Sequence, residues 1–202
     1  MDVGAAAHAD ETIHAGSSGR PTGTDRGSAG AGGGVPVVGT AASALVPFVP
    51  ADLPDLLDFL VRADLTLSGL DAAGVRLWLL RDGGGRVCGS AGYELSAAGD
   101  HALIRSVAVD QDARGRGLGL ELARFVLGRA AAAGARRAWL FSRRSGPFWQ
   151  RLGFEPADRT RLAAVLADTH QVALFRASGQ LGREVAWSRD LDPDASHPTP
   201  AR

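Results

Sequence analysis

The chain has 202 residues, 45% of them hydrophobic, and a formal net charge of zero. Zero net charge argues against nucleic acid as a main partner, because phosphate binding needs a basic excess or stripe. The single cysteine, Cys88, leaves no internal disulfide or cysteine zinc site. All 22 basic residues other than histidine are arginines, and lysine is absent. No apolar stretch approaches the ~18 residues of a membrane span. The opening MDVGAAAHADETIH has neither the basic nor the apolar region of a secretory signal. The expectation is a reducing cytoplasm and no membrane partner.

Residues 1–42 are rich in Gly, Ala, Ser, Thr and Asp, and the run Gly27 to Gly34 has almost nothing to bury. Such a segment cannot offset its own ordering entropy and is expected to be disordered. Residues 43–192 form the expected domain, with 193–202 a loose C-terminal end. A domain of about 150 residues buries about 70% of its extended-chain surface, enough for a core.

Within the domain, Leu45 to Val49 carries two prolines and reads as an edge strand at best. Asp52 or Leu53 caps a helix that has Pro54 in its first turn and runs to about Arg62. Val75 to Leu80 and Val87 to Leu95 flank the turn Asp82-Gly83-Gly84-Gly85 and predict a hairpin. A second turn, Ser96 to Asp100, leads to a strand over Leu103 to Val109. Gly117 to Ala133 predicts a helix, with Leu118, Leu122, Phe125, Val126 and Arg129 on one face and Gly134 as its stop. A strand over Arg137 to Ser142 follows, then a short helix near Pro147 to Leu152. Arg161 to Ala167 reads as a further helix, and Val172 to Phe175 and Val185 to Ser188 as final strands. The order predicts a mixed α/β sheet flanked by helices.

The chemistry is carried by Val107-Ala108-Val109-Asp110-Gln111-Asp112-Ala113-Arg114-Gly115-Arg116-Gly117-Leu118-Gly119, between a strand and an amphipathic helix. Glycines let the chain turn sharply and let a ligand approach the amides. The first helical amides lack internal partners and the dipole there is positive, so this entry is an anion cradle for a phosphate or pyrophosphate. Arg114 and Arg116 can add charge-assisted contacts. A Walker loop is excluded by the absence of lysine. A Rossmann fingerprint is excluded because Leu120 and Leu122 stand where its third glycine is required. What remains is R-x-x-G-x-G, at Arg114, Gly117 and Gly119.

That pattern, the V-A-V strand before it, and Gly146-Pro147-Phe148-Trp149-Gln150-Arg151-Leu152-Gly153-Phe154 some 30 residues later together resemble the GNAT superfamily of N-acetyltransferases. The resemblance covers about residues 45–158. It implies a GNAT-like mixed sheet, acetyl-CoA as cosubstrate, and direct attack of an amine on the thioester. It also implies that Val107, Ala108 and Val109 line the pantetheine arm, with the backbone of Val107 and Val109 pairing to it. The amides of Arg114, Gly115, Arg116, Gly117, Leu118 and Gly119 would hold the pyrophosphate, and Phe148 would complete the set. Many relatives place a tyrosine acid just before Leu-Gly-Phe, where this chain has Trp149, whose indole is not an acid.

Glu94 is the candidate general base, needing burial or a water chain to be effective. Its alternative is a solvated strand-end carboxylate. Arg105 interrupts an apolar strand and is costly there unless paired. It either binds a substrate carboxylate or pairs with Glu94 across the strands. Tyr93, the only tyrosine, is assigned to core packing, and Arg143 and Arg144 to the rim of the acceptor mouth. His101 and His170 have no partner spacing, and no metal is expected. Leu-Ile-Arg-Ser-Val-Ala-Val, with Gly-Tyr-Glu in the strand before it, resembles the acetyltransferases of arsenic resistance and the phosphinothricin-type enzymes, whose acceptors are small acidic amino acids. Phe148-Trp149 and Arg143-Arg144 depart from that wording.

The expected acceptor is therefore a small-molecule amine. A protein or peptide N-acetyltransferase and a non-catalytic acyl-CoA sensor are the alternatives. A monomer or a homodimer is expected, with Arg176 to Trp187 as a possible partner contact.

Overall fold

The computed structural model describes residues 45–191; the expected N-terminal tail, 1–42, and the expected C-terminal end, 193–202, both lie outside them. Seven strands form one sheet, β1 (Val46–Pro47), β2 (Val75–Arg81), β3 (Val87–Leu95), β4 (His101–Val109), β5 (Arg137–Phe141), β6 (Glu155–Ala157) and β7 (Ala186–Asp190). Their order is β1-β2-β3-β4-β5-β7-β6. The helices are α1 (Leu53–Arg62), α2 (Leu118–Ala132), α3 (Gly146–Gln150), α4 (Arg159–Val165) and α5 (His170–Ala177). The mixed α/β sheet flanked by helices is the architecture expected from the sequence.

Local chemistry explains the early elements. Pro54 lies in the first turn of α1, where a missing N–H costs nothing. Arg81 ties that turn to the sheet through Asp52 and Asp55, each at 2.8 Å. In the β2–β3 turn, Asp82 Oδ1 accepts from the backbone N–H of Gly84 and Arg86, both at 3.0 Å. These bonds, that from Arg86 foremost, hold the Asp82 carboxyl below its usual range.

The two faces of the sheet are covered differently. Leu122, Val126 and Ala130 of α2 and Phe148 and Trp149 of α3 share a core with Ala91, Tyr93, Ile104 and Val107. On the opposite face, Leu56, Phe59 and Leu60 of α1 pack with Leu77, Leu79 and Ala108. Beside them, Leu162 of α4 and Val172 and Phe175 of α5 pack with Leu103, Trp139 and Phe141.

Two sequence expectations are corrected. Val172 to Phe175 is not a strand but part of α5. The buried residues Gln171, Val172 and Phe175 fall on one helical face, a spacing that a four-residue apolar run does not reveal. The strand β6 was not expected, because Pro156 sits in its middle. It forms the sheet edge, where a proline is tolerated.

Cys88 is buried, and burial, with smaller contributions from Asp82 and Asp110, pushes its thiol above the usual range. It is expected to resist iodoacetamide in the native protein at about pH 8 and to react once urea unfolds the chain. Rapid native alkylation, read by mass spectrometry, would contradict this placement.

Candidate active site

β4 runs antiparallel to β3 and parallel to β5, but the two contacts differ in extent. With β5 it pairs only through His101, Ala102 and Leu103, opposite Arg137, Ala138 and Trp139. With β3 it stays paired to Val109, except where the register shifts between Gly92↔Arg105 and Ser90↔Ala108. Ser106 and Val107 thus stand against Ala91 alone, the signature of a β-bulge. Ser106 has φ +55°, a left-handed backbone rare for a side-chain-bearing residue. Ser90 Oγ donates to the Ser106 carbonyl at 2.6 Å from within the core. The bulge bends β4, and from Ile104 onward β4 and β5 share no further pairs among the described residues. Val107, Ala108 and Val109 lie along this opened edge.

The edge ends at the glycine-rich loop. Asp110 Oδ1 accepts from the Asp112 N–H, and Arg114 Nε donates to the Val109 carbonyl at 3.2 Å. Gly115 and Gly117 have φ of +79° and +81°, and a Cβ added at either would meet nothing within 4 Å. The space over both is open. Gly117 is the N-cap of α2. Its carbonyl receives the N–H of Leu120 and Glu121. Among the described residues, the amides of Gly115, Arg116, Gly117, Leu118 and Gly119 have no recorded acceptor. Unpartnered amides at a helix N-terminus, with room above them and Arg114 and Arg116 beside them, fit a diphosphate. The α1 side of the loop borders a cavity of about 320 Å³, where Arg62, Arg86 and Arg114 face Asp110 and Asp112.

Across the opening, Trp149 is 0% exposed. Its ring meets Phe148 edge-on at 5.1 Å and Phe154 at 5.2 Å. Among the described residues its buried Nε1 has no hydrogen-bond partner, an uncommon state for a buried indole. Phe148 is buried beside it, with Arg151 5.9 Å over its ring.

Glu94 and Arg105 are 2% and 1% exposed. Arg105 Nη1 donates to Glu94 Oε1 at 2.6 Å and Nη2 to the Ser68 carbonyl at 2.8 Å. Glu94 also accepts the backbone N–H of His170 on Oε2 and of Gln171 on Oε1, the first turn of α5. A carboxylate there complements the helix dipole. Glu94 is therefore not a solvated strand-end group, and Arg105 takes the pairing alternative. With both oxygens engaged, protonating Glu94 would strip a buried guanidinium of its counter-charge, so the geometry does not favour it as a direct base. Arg105 is too enclosed to meet a substrate carboxylate as the structure stands.

Tyr93 stacks on Trp78 at 5.8 Å in the core, and burial raises its phenol above the usual range. His101 Nδ1 accepts from Trp139 Nε1 at 3.1 Å, at the closed end of the β4–β5 contact. Arg144 pairs with Asp64 at 3.1 Å and Arg143 reaches Glu184 at 3.8 Å, both links from the segment after β5 to other parts of the chain. His170, to which the sequence assigned no partner, has Nε2 3.0 Å from Ser68 Oγ, 102 positions away. No sequence signal joins the two.

A sheet parted beside an N-terminal amide cradle fits the acyl-CoA-dependent acyltransferases that the sequence resembles. The Acetyltransferase (GNAT) family matches residues 42–154, and the chain belongs to that family. No curated protein matches. The fold is similar to that of N-acetylglutamate synthase from Neisseria gonorrhoeae, solved with coenzyme A and N-acetyl-glutamate (TM-score 0.59, 19% identity, 74% of this chain and 35% of that chain). The chain thus spans about a third of the synthase's length. It is also similar to Rv2747 from Mycobacterium tuberculosis, solved with CoA (TM-score 0.59, 18% identity, 74% and 99%). A third similar structure is the ribosomal-protein-S18-alanine N-acetyltransferase from Escherichia coli (TM-score 0.53, 18% identity, 74% and 94%). At these identities the likeness is one of fold. The protein is a GNAT-family acyltransferase, and the residues around the opening fit acetyl-CoA as its cosubstrate.

Proposed function

We propose that this enzyme acetylates the amine of a small, amino-acid-like molecule in the cytoplasm. The observation that carries the reading is the parting of β4 and β5 beside five consecutive unpartnered amides, Gly115 to Gly119. When bound, acetyl-CoA supplies an activated acetyl carbon at the opening. The chain's own residues do the rest. The amides and Arg114 hold the anionic end, and the edge of Val107 to Val109 fixes the arm. Trp149 and Phe148 exclude water. Bringing amine and thioester together is the main source of rate.

A small acceptor is supported by what covers the α1 face. The α1–β2 connection and the start of α5 meet over Glu94 and Arg105 and bond to each other through Ser68 and His170. An open peptide groove would need these segments apart. An amino-acid-like acceptor is supported by the resemblance of the Leu-Ile-Arg-Ser-Val-Ala-Val strand to the arsenic-resistance and phosphinothricin-type branch. Asp64 and Arg144, paired at the surface, offer opposite charges for an ammonium and a carboxylate.

The experiment is thiol release from acetyl-CoA in the presence of each of the common L-amino acids, beside thermal melting with and without acetyl-CoA. The expected result is an acetyl-CoA melting shift and faster thiol release with one class of amino acid. A melting shift with no acceptor-dependent release would favour the sensor reading, which the lack of an acidic hydroxyl at Trp149 supports. No shift at millimolar acetyl-CoA would refute both.

A further inference from the structure

We propose that His170 is the general base that takes the proton from the acceptor amine, with Ser68 and Gly69 as its positioning residues. The inference rests on the acetyl-transfer reading above. An amine attacking a thioester must lose a proton. Glu94 is committed to Arg105 and to the first turn of α5. Tyr93 lies in the core on the α2 face, and His101 is bonded to Trp139 at the closed end of the strand pair.

His170 is held differently. It is the first residue of α5, and its backbone N–H is bonded to Glu94. Glu94 in turn holds Arg105, which immediately precedes the bulge residue Ser106. The backbone of the first turn of α5 is thereby tied to the point where β4 leaves β5. Its ring is half-buried, and Nε2 lies 3.0 Å from Ser68 Oγ. Gly69, at φ +67°, lies against the ring so closely that a Cβ there would stand 2.1 Å from His170 Cδ2. Hydroxyl and glycine together fix the ring plane. The proposal requires the tautomer in which Nε2–H donates to Ser68 Oγ and Nδ1 carries the lone pair; among the described residues Nδ1 has no hydrogen-bond partner.

The charged groups reaching this end of α5 are Glu94 from β3 and Arg105 from β4. Asp168 precedes it in the turn and Asp71 follows Gly69 in its loop, both exposed. Arg176, at the far end of α5, is bonded to the Ala163 carbonyl. In the reaction, the amine nitrogen forms its bond to the acetyl carbon and gives its proton to Nδ1. The carbon–sulfur bond breaks, the electron pair goes to sulfur, and the imidazolium returns its proton to solvent.

The test compares wild type, His170→Gln and Ser68→Ala. Glutamine keeps the backbone N–H to Glu94, so the fold is retained, and His170→Asn serves as a second variant. Acetyl transfer is followed across pH with the best L-amino acid of the panel. For His170→Gln, kcat is expected to fall by about 10²–10⁴-fold, the range of a lost general base. The acid limb of its pH profile should move to that of the amine, and the acetyl-CoA melting shift should be unchanged. Independently of activity, ¹⁵N spectra of the imidazole should show the Nε2–H tautomer in wild type and lose that preference in Ser68→Ala. His170→Gln activity within about threefold of wild type, with an unchanged profile, overturns the assignment. So does an Nδ1–H tautomer in wild type. A wild type that binds acetyl-CoA but acetylates no amine overturns the functional reading and this assignment with it; an active wild type indifferent to His170 overturns this assignment alone.

Discussion

Arg105→Met is expected to cost the fold about 3–5 kcal/mol, the toll of breaking a buried ion pair from one side. The variant leaves the Glu94 carboxylate 2% exposed, with only the amides of His170 and Gln171 to hold it. It also releases the Ser68 carbonyl. Domains of this size carry about 5–15 kcal/mol in all, so the loss is a large fraction of the total. Glu94→Gln should cost a similar amount, since it leaves the buried guanidinium without a counter-charge and its one amide oxygen cannot accept from both Arg105 and His170. The double variant Glu94→Gln/Arg105→Met should recover most of the loss, because no buried charge is left unmatched. Urea unfolding, with midpoint and slope both fitted, is the measurement. A double variant as unstable as Arg105→Met would show that the guanidinium contributes by packing rather than by charge.

The second large effect concerns the loop. Acetyl-CoA present at about 100 times its dissociation constant should stabilise the native protein by about 2.7 kcal/mol. Gly117→Glu should abolish this. Its side chain would enter the open space above the N-terminus of α2 and set a carboxylate where a diphosphate is to bind. The variant also strains a φ of +81°, a cost of about 1 kcal/mol or more. Gly117→Ala separates the two contributions: it carries the strain without the charge and should keep a reduced ligand shift. Equal shifts in wild type and Gly117→Glu would remove the loop from the cosubstrate site.

The sequence was legible where local chemistry decides structure. Asp82 with three glycines makes a turn wherever it falls, and Pro54 with a leucine spacing of three and four makes a helix. β3 was expected over the residues it occupies, Val87–Leu95. Legibility failed where distant residues decide. α5 owes its first turn to a carboxylate on β3, 76 positions away from His170, and its Val-Ala-Leu-Phe core is as suitable for a strand. The bulge at Ser106 has no glycine to announce it and depends on Ser90 across the sheet. Arg105 was visible as an unusual charge in an apolar strand, and Glu94 as a carboxylate near a strand end. Their partnership was one of two readings until the register placed them diagonally, Glu94 opposite Leu103 and Arg105 opposite Gly92, within reach of long side chains.

The brief contact between β4 and β5 gives the molecule a plane of separation. One leaf of the sheet is β1 to β4, the other β5, β7 and β6, and three residue pairs join their backbones. A load applied across the sheet meets little backbone resistance there, and the leaves can part without either one unravelling. Amide exchange of a cooperative sheet would be uniform; here the shared pairs around Ala102 and Ala138 should exchange faster than β3 and the remainder of β5. Anything wedged between the leaves becomes a rivet, so occupancy of the opening should be felt as slower exchange along both margins.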